Sequence, residues 1–353
     1  MEISKTKNTE KDMSKFFKTS DSDATFVGNM LRGVGQVMFQ KNGWTGLFFL
    51  CGIAWGAYDA GSIEVAWGAL VGTLVSTITG YLLGLDREDG NSGLWGFNGV
   101  LVGCAIMTFL ESTPLTWIAL ILCSALTVWV RVALNNTMKG WKINSFTFPF
   151  VTSTWIFLLA SRALHGMPAD SLPSPHLPGY FDWSVSLAPL DLVVYWLKGI
   201  AQVFLIDSWG TGILFLIGLA VSNIWAAVWA AIGSAVALAG AILFGAPGEM
   251  ISEGLFGFSS VLTAIALGAT FYRPSWGSAI WSLLGIVVCM FVQLATDLWL
   301  EPIGLPALTA PFCLTTWIFL LPLFKFGKHK HPVDHSDWHK KREIAEETAI
   351  KKE

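Results

Sequence analysis

Charge is scarce in this chain. Asp, Glu, Lys and Arg make up 13% of its 353 residues, well below the roughly 25% of soluble domains. Beside 53% hydrophobic residues, that scarcity excludes a water-soluble fold, which could not hide so much apolar surface; the core must face lipid. Reactive groups are scarce too. The six His (His165, His176, His329, His331, His335, His339) all lie outside the long apolar stretches. Acidic residues gather at predicted ends and loops: Asp59 and Glu64, Asp86 and Asp89, Glu249 and Glu253, Asp297 and Glu301. A Ser-His-Asp set, an HExxH pair and a phosphate loop are all missing, which argues against a membrane enzyme. The five Cys (Cys51, Cys104, Cys123, Cys289, Cys313) show no metal or redox spacing and read as small core residues. No metal, cofactor or nucleic-acid partner is expected. The N-terminus has no charged-apolar-small pattern, so no cleaved leader is expected.

The charges that are present sort the chain. Residues 1–23 form a polar tail carrying Lys5, Lys7, Lys11, Lys15 and Lys18, and residues 325–353 a second charged tail. Between Ala163 and Leu197 there is no Lys or Arg, while five prolines and Asp170, Asp182 and Asp191 fall there. The positive-inside rule puts both tails in the cytoplasm and the connector, 165–191, outside. Six apolar stretches precede the connector (24–40, 44–60, 62–85, 94–110, 114–135, 146–164) and six follow it (192–207, 210–227, 228–245, 254–271, 276–300, 306–324). With the ends of each half on opposite sides, six stretches cannot all cross. One per half must be re-entrant, leaving about ten spans. The stretches holding Arg32 and Lys198 are the expected re-entrant ones, because either cation is costly at mid-bilayer.

The two sets are copies. Arg32-Gly-Val-Gly-Gln-Val-Met-Phe39 answers to Lys198-Gly-Ile-Ala-Gln-Val-Phe-Leu205, 166 residues on. Gly93-Leu-Trp-Gly-Phe-Asn-Gly-Val-Leu101 answers to Gly254-Leu-Phe-Gly-Phe-Ser-Ser-Val-Leu262, 161 on, and Thr147 to Thr309, 162 on. Three matches in one order at near-constant offset indicate duplication, here with inverted membrane topology: a first repeat over 24–164 and a second over 192–324.

What recurs inside the apolar stretches is neutral and polar. Gln36 and Gln202 each bring an amide that must find a partner in protein or in a passing solute. The Gln-Val-x-Phe spacing predicts Gln36 and Phe39 on one helical face, with Val37 turned away. Phe97 and Phe258 stand one turn before Leu101 and Leu262, and Gly93, Gly96, Gly99 and Gly103 suit close backbone approach. Thr147 and Thr309 each stand two residues before a Pro-Phe that leads into Thr-Trp-Ile-Phe-Leu. Their hydroxyls either cap the following helix or line a polar path. Structural readings stay open for all of these: helix-helix glue for the glutamines, aromatic filling of a tight crossing for the phenylalanines.

With the Gln-Val-x-Phe, Gly-Phe-Asn-Gly-Val-Leu-Val-Gly and Leu-Pro-x-Leu-Thr-x-Pro-Phe elements in view, the chain resembles the urea transporter family over roughly residues 25–325. The resemblance implies an all-α membrane protein whose two inverted halves, each of five spans and a re-entrant helix, surround a central pore. It implies a homotrimer with one pore per protomer, in a cell membrane (the inner one in a bacterium), passing urea passively down its gradient. Residue by residue, Gln36, Val37, Phe39, Phe97 and Leu101 match the outer urea slot, Gln202, Val203, Phe258 and Leu262 the inner one, and Thr147 and Thr309 the narrow middle. Leu205 stands where a second Phe is expected, so the inner wall should be less aromatic. Rival readings are a channel for ammonia or short amides, and a membrane sensor or scaffold acting through the C-terminal tail.

Overall fold

The structure, a computed structural model, describes residues 25–179 and 181–322, so the tails expected at 1–23 and 325–353 lie outside the described residues. The described residues are helical, with one isolated antiparallel bridge between Leu110 and Ala169 and no strand. Before the connector run α1 (Phe26–Gln36), α2 (Gly43–Asp59), α3 (Glu64–Leu82), α4 (Arg87–Asn91), α5 (Phe97–Phe109), α6 (Pro114–Met138) and α7 (Phe148–Ser161). After it run α8 (Pro189–Ala201), α9 (Trp209–Ser222), α10 (Ile224–Leu243), α11 (Gly248–Ser252), α12 (Gly257–Ile265), α13 (Trp276–Leu300) and α14 (Ala310–Leu320). Each helix of the first series has a counterpart seven places on.

Several helices begin for a local reason. Thr25, Asn42, Thr113, Ser208, Asn223 and Ser275 each accept a first-turn N–H through the side chain, supplying partners that the helix cannot. Asn223 also corrects a boundary. The apolar stretches 210–227 and 228–245 suggest a break near residue 227, but the chain turns at Asn223, whose Oδ1 accepts from Trp225 N at 3.0 Å. Apolarity runs straight through that turn, so hydropathy alone misses it.

The duplication extends to backbone conformation. Left-handed residues occur at Phe39 and Leu205, Gly84 and Gly245, Gly93 and Gly254, Lys142 and Gly304, and Phe146 and Leu308, at the spacings found in the sequence. Packing repeats as well: α3 lies on α5 as α10 lies on α12, and α1 on α2 as α8 on α9. The α3–α5 crossing is as tight as the glycines predict, since a Cβ on Gly72 would sit 2.1 Å from Gly99 O and one on Gly103 1.9 Å from Gly68 O.

The halves meet through α2 with α9 and α7 with α14, each helix against its own counterpart. The first contact is reciprocal. Thr45 Oγ1 donates to Gly218 O and Thr211 Oγ1 to Gly52 O, both at 2.7 Å, around a Phe49–Phe215 ring pair 4.8 Å apart.

By length and composition, four helices can each cross a membrane: Glu64–Leu82, Pro114–Trp141, Ile224–Leu243 and Trp276–Ile303, the second and fourth with their short 3-10 ends. The pair Pro189–Phe204 and Trp209–Ser222, bent by 71°, passes only jointly. The other apolar helices Phe97–Phe109, Phe148–Ser161, Gly257–Thr270 and Ala310–Leu320 are shorter. At about 1.5 Å per residue they reach only part-way through a core about 30 Å thick. Short apolar helices are therefore more numerous than one per half.

Candidate permeation site

The glutamines stand where α1 and α8 end. Gln36 Nε2 donates to Ser92 O at 2.9 Å and Gln202 Nε2 to Glu253 O at 3.0 Å, the same bond in each half. Each amide is thus tied back through one of its two N–H donors, which leaves the other N–H and the carbonyl oxygen as groups it can offer to a solute. Gly93 and Gly254 make this possible. Both have positive φ, and a Cβ there would lie 2.4 Å from Gly33 N and 2.5 Å from Gly199 N, respectively. The neighbouring cations are engaged: Arg32 Nη1 donates to Asn91 O at 2.8 Å, and Lys198 Nζ pairs with Asp207 at 2.8 Å. Burial, then Glu249 and Asp207, hold the Glu253 carboxyl above the usual carboxylate range, with Lys198 opposing.

The expected helical face of Gln36 and Phe39 is not what forms. α1 stops at Gln36, and Phe39 takes a left-handed conformation (φ 62°) in a turn closed by Phe39 N to Gln36 O and Gln40 N to Gly35 O, each 3.0 Å. Asn42 then starts α2, so the chain has to reverse within a few residues. Leu205 (φ 59°) ends the matching turn. Phe39 thereby projects toward the other half: its ring lies 5.7 Å from Phe271 and 6.0 Å from Phe312, and 6.3 Å from Phe146. These four rings make an aromatic wall, whereas Leu205 cannot extend one. Val37, Leu101, Val203 and Leu262 are buried to about the last percent, and Phe97 and Phe258 nearly so, at 7% and 8% exposure. α5, which carries Phe97 and Leu101, also touches the 3-10 turn Gln202–Phe204, linking it to the second half's glutamine.

Thr147 and Thr309 meet. Their hydroxyls are 2.6 Å apart, with Cys313 Sγ 3.4 Å from Thr147 Oγ1. Neither side chain caps the helix it precedes, which removes the capping reading. Left-handed Phe146 and Leu308 deliver the two threonines to this position. Around them the halves exchange bonds: Trp155 Nε1 donates to Pro306 O at 2.8 Å and Trp317 Nε1 to Asn144 O at 3.0 Å. The tryptophan of each Thr-Trp-Ile-Phe-Leu segment therefore secures the opposite half's entrance loop.

Two buried hydroxyls thus meet at the junction of the duplicated halves. The profile of the urea transporter family matches residues 27–324. The chain belongs to the urea transporter family. Among similar proteins, Urea transporter 1 from Ovis aries and that from Capra hircus are each 30% identical over 319 residues, covering 88% of this chain and 80% of theirs. Urea transporter 1 from Rattus norvegicus is 30% identical over 324 residues, with the same coverage. Membership covers both halves and the whole set of candidate residues.

Several residues that shape the site in this family member went unpredicted. Phe271 and Phe312 join Phe39 only across the halves, and Asn98 reaches Phe150 N at 3.1 Å. For the tryptophans a signal existed, their repetition at matched positions, but an indole beside lipid reads first as an interface anchor.

Proposed function

We propose that the protein carries urea across a membrane passively, in the manner of a channel, along a narrow path between its two halves. Membership of a family of urea transporters supports this, and so do the names of its relatives. The observation that carries the reading is the Thr147–Thr309 pair, buried where α7 and α14 meet. Urea is flat and uncharged, with one carbonyl and four N–H bonds. Leaving water costs it hydrogen bonds, which a row of fixed oxygens returns. In this reading the Gln36 and Gln202 carbonyl oxygens receive the N–H groups at the two ends and the threonine hydroxyls in the middle. Val37, Phe39, Phe97 and Leu101 wall the outer slot, and Val203, Phe258 and Leu262 the inner one, admitting a planar solute. Several weak stations allow exit as readily as entry.

We further read the halves as inverted across the bilayer, with the segments ending at Gln36 and Gln202 re-entrant and both chain ends in the cytoplasm. The reciprocal bonds at both junctions support a two-fold relation between the halves, and a connector without Lys or Arg between two Lys-bearing tails supports its inversion. Trimerisation, one path per protomer, rests on the family resemblance. Purified protein in liposomes, followed by stopped-flow light scattering, is expected to pass urea far faster than empty vesicles; equal rates reject the reading. Competition by acetamide would favour the wider solute range instead. Loss of flux on deleting residues 327–353 would favour a role for the tail.

A further inference from the structure

The start of α7 is fully hydrogen-bonded without help from its own threonine side chain. Phe148 N donates to Ser145 O at 3.0 Å, Pro149 has no N–H, Phe150 N donates to Asn98 Oδ1 at 3.1 Å, and Val151 N donates to Thr147 O at 3.1 Å. A threonine preceding a helix ordinarily serves the second or third N–H of the first turn. Here the second is a proline, so Phe150 is the one N–H that Thr147 could serve. Asn98, reaching across from α5 and 2% exposed, already holds it.

The second half lacks this arrangement. Ala310 N donates to Ala307 O at 3.2 Å and Cys313 N to Thr309 O at 3.1 Å, with Pro311 between. Ser259 stands where Asn98 stands in the first copy, and its Oγ has no partner; among the described residues no acceptor reaches Phe312 N either. Serine is too short to do what asparagine does. The two entrances are therefore held unequally: that of α7 is bonded to α5 through Phe150 N, and among the described residues that of α14 has no such bond.

We propose that Asn98 is a positioning residue for permeation: by accepting from the Phe150 N–H it ties the α7 entrance to α5 and so keeps the Thr147 hydroxyl directed at Thr309 and at the solute path. This rests on the urea reading above. Without Asn98 the buried Phe150 N–H loses its partner and the α7 entrance loses its bond to α5. The Thr147 hydroxyl, three residues before that N–H, is then no longer fixed in the path.

The test is a cycle of four proteins in liposomes: wild type, Asn98→Leu, Thr147→Val and the double variant, with urea flux measured against urea concentration. Asn98→Leu is expected to lower maximal flux about tenfold in the wild-type background, the size of one lost hydrogen bond. With Thr147→Val already present it is expected to change flux by less than about twofold, because residues acting through one another are not additive. Asn98→Asp, which keeps an acceptor at the helix start, should restore most of the flux. Equal losses in both backgrounds, or no loss in either, overturn the proposal while wild-type flux leaves the urea reading standing. Absence of urea flux in wild type overturns both. If Asn98→Leu does not yield folded protein, Asn98→Ser, which copies the second half, takes its place in the cycle: a loss confined to the Thr147 background supports the proposal, and equal losses or none overturn it.

Discussion

Thr309 offers a test in which shape is held nearly constant, since Thr309→Val exchanges a hydroxyl for a methyl. The residue is 3% exposed and its hydroxyl bonds Thr147 at 2.6 Å, with no competing cap bond. The variant removes one oxygen from the middle of the path and leaves Thr147 without its partner. Urea flux is expected to fall about tenfold, the cost of one hydrogen bond withheld from a desolvated solute, while the melting temperature in detergent moves little. Unchanged flux in the stopped-flow assay would take Thr309 out of the path. The residue types at this site were legible in the sequence, because Gln and Thr in apolar surroundings stand out and recur. Their geometry was not: Phe39 leaves the helix through a left-handed residue, a conformation that a bulky aromatic adopts only when the surrounding chain imposes it.

At the scale of an element, the α3–α5 crossing is the most demanding contact. Gly68, Gly72, Gly99 and Gly103 bring the two backbones together, and the missing side chains leave no slack. Gly103→Ala would place a methyl 1.9 Å from Gly68 O, a separation that forces the helices apart. Overpacking of this kind costs about 1–3 kcal/mol or more, so the variant is expected to melt several degrees lower or to lose its single peak on size exclusion. Gly140→Ala, with nothing within 4 Å, is the matched control and should behave as wild type. Moving α5 also moves Phe97, Leu101 and Asn98, so flux should fall together with stability. The glycines of α5 made a close approach readable in the sequence, but not that α3, with Gly68 and Gly72, is the helix that makes it. The four short apolar helices were not readable either, because a half-length helix and a full span carry the same composition and differ only in where the backbone turns.

For the whole molecule, inversion is the claim with the widest reach. If both tails face the cytoplasm, the connector faces the opposite side, and a single cysteine tests it: Ser174→Cys, in a background lacking the exposed Cys51, places a thiol in the exposed connector. A membrane-impermeant maleimide added to intact cells is expected to label the thiol at position 174 and to spare one introduced in the C-terminal tail until the membrane is opened. Labelling of both from one side would rule out the inverted arrangement.

The sequence alone determined that the chain is a duplicated membrane protein with neutral polar residues at matched places. Composition and repetition are properties of the linear chain and need no fold to be read. Only the tertiary structure decided which copies touch. Thr147 and Thr309 lie 162 residues apart, Trp155 and Pro306 151, and Asn98 and Phe150 52. No local periodicity reports such pairs, because they exist only once packing has brought two distant backbones to hydrogen-bonding distance.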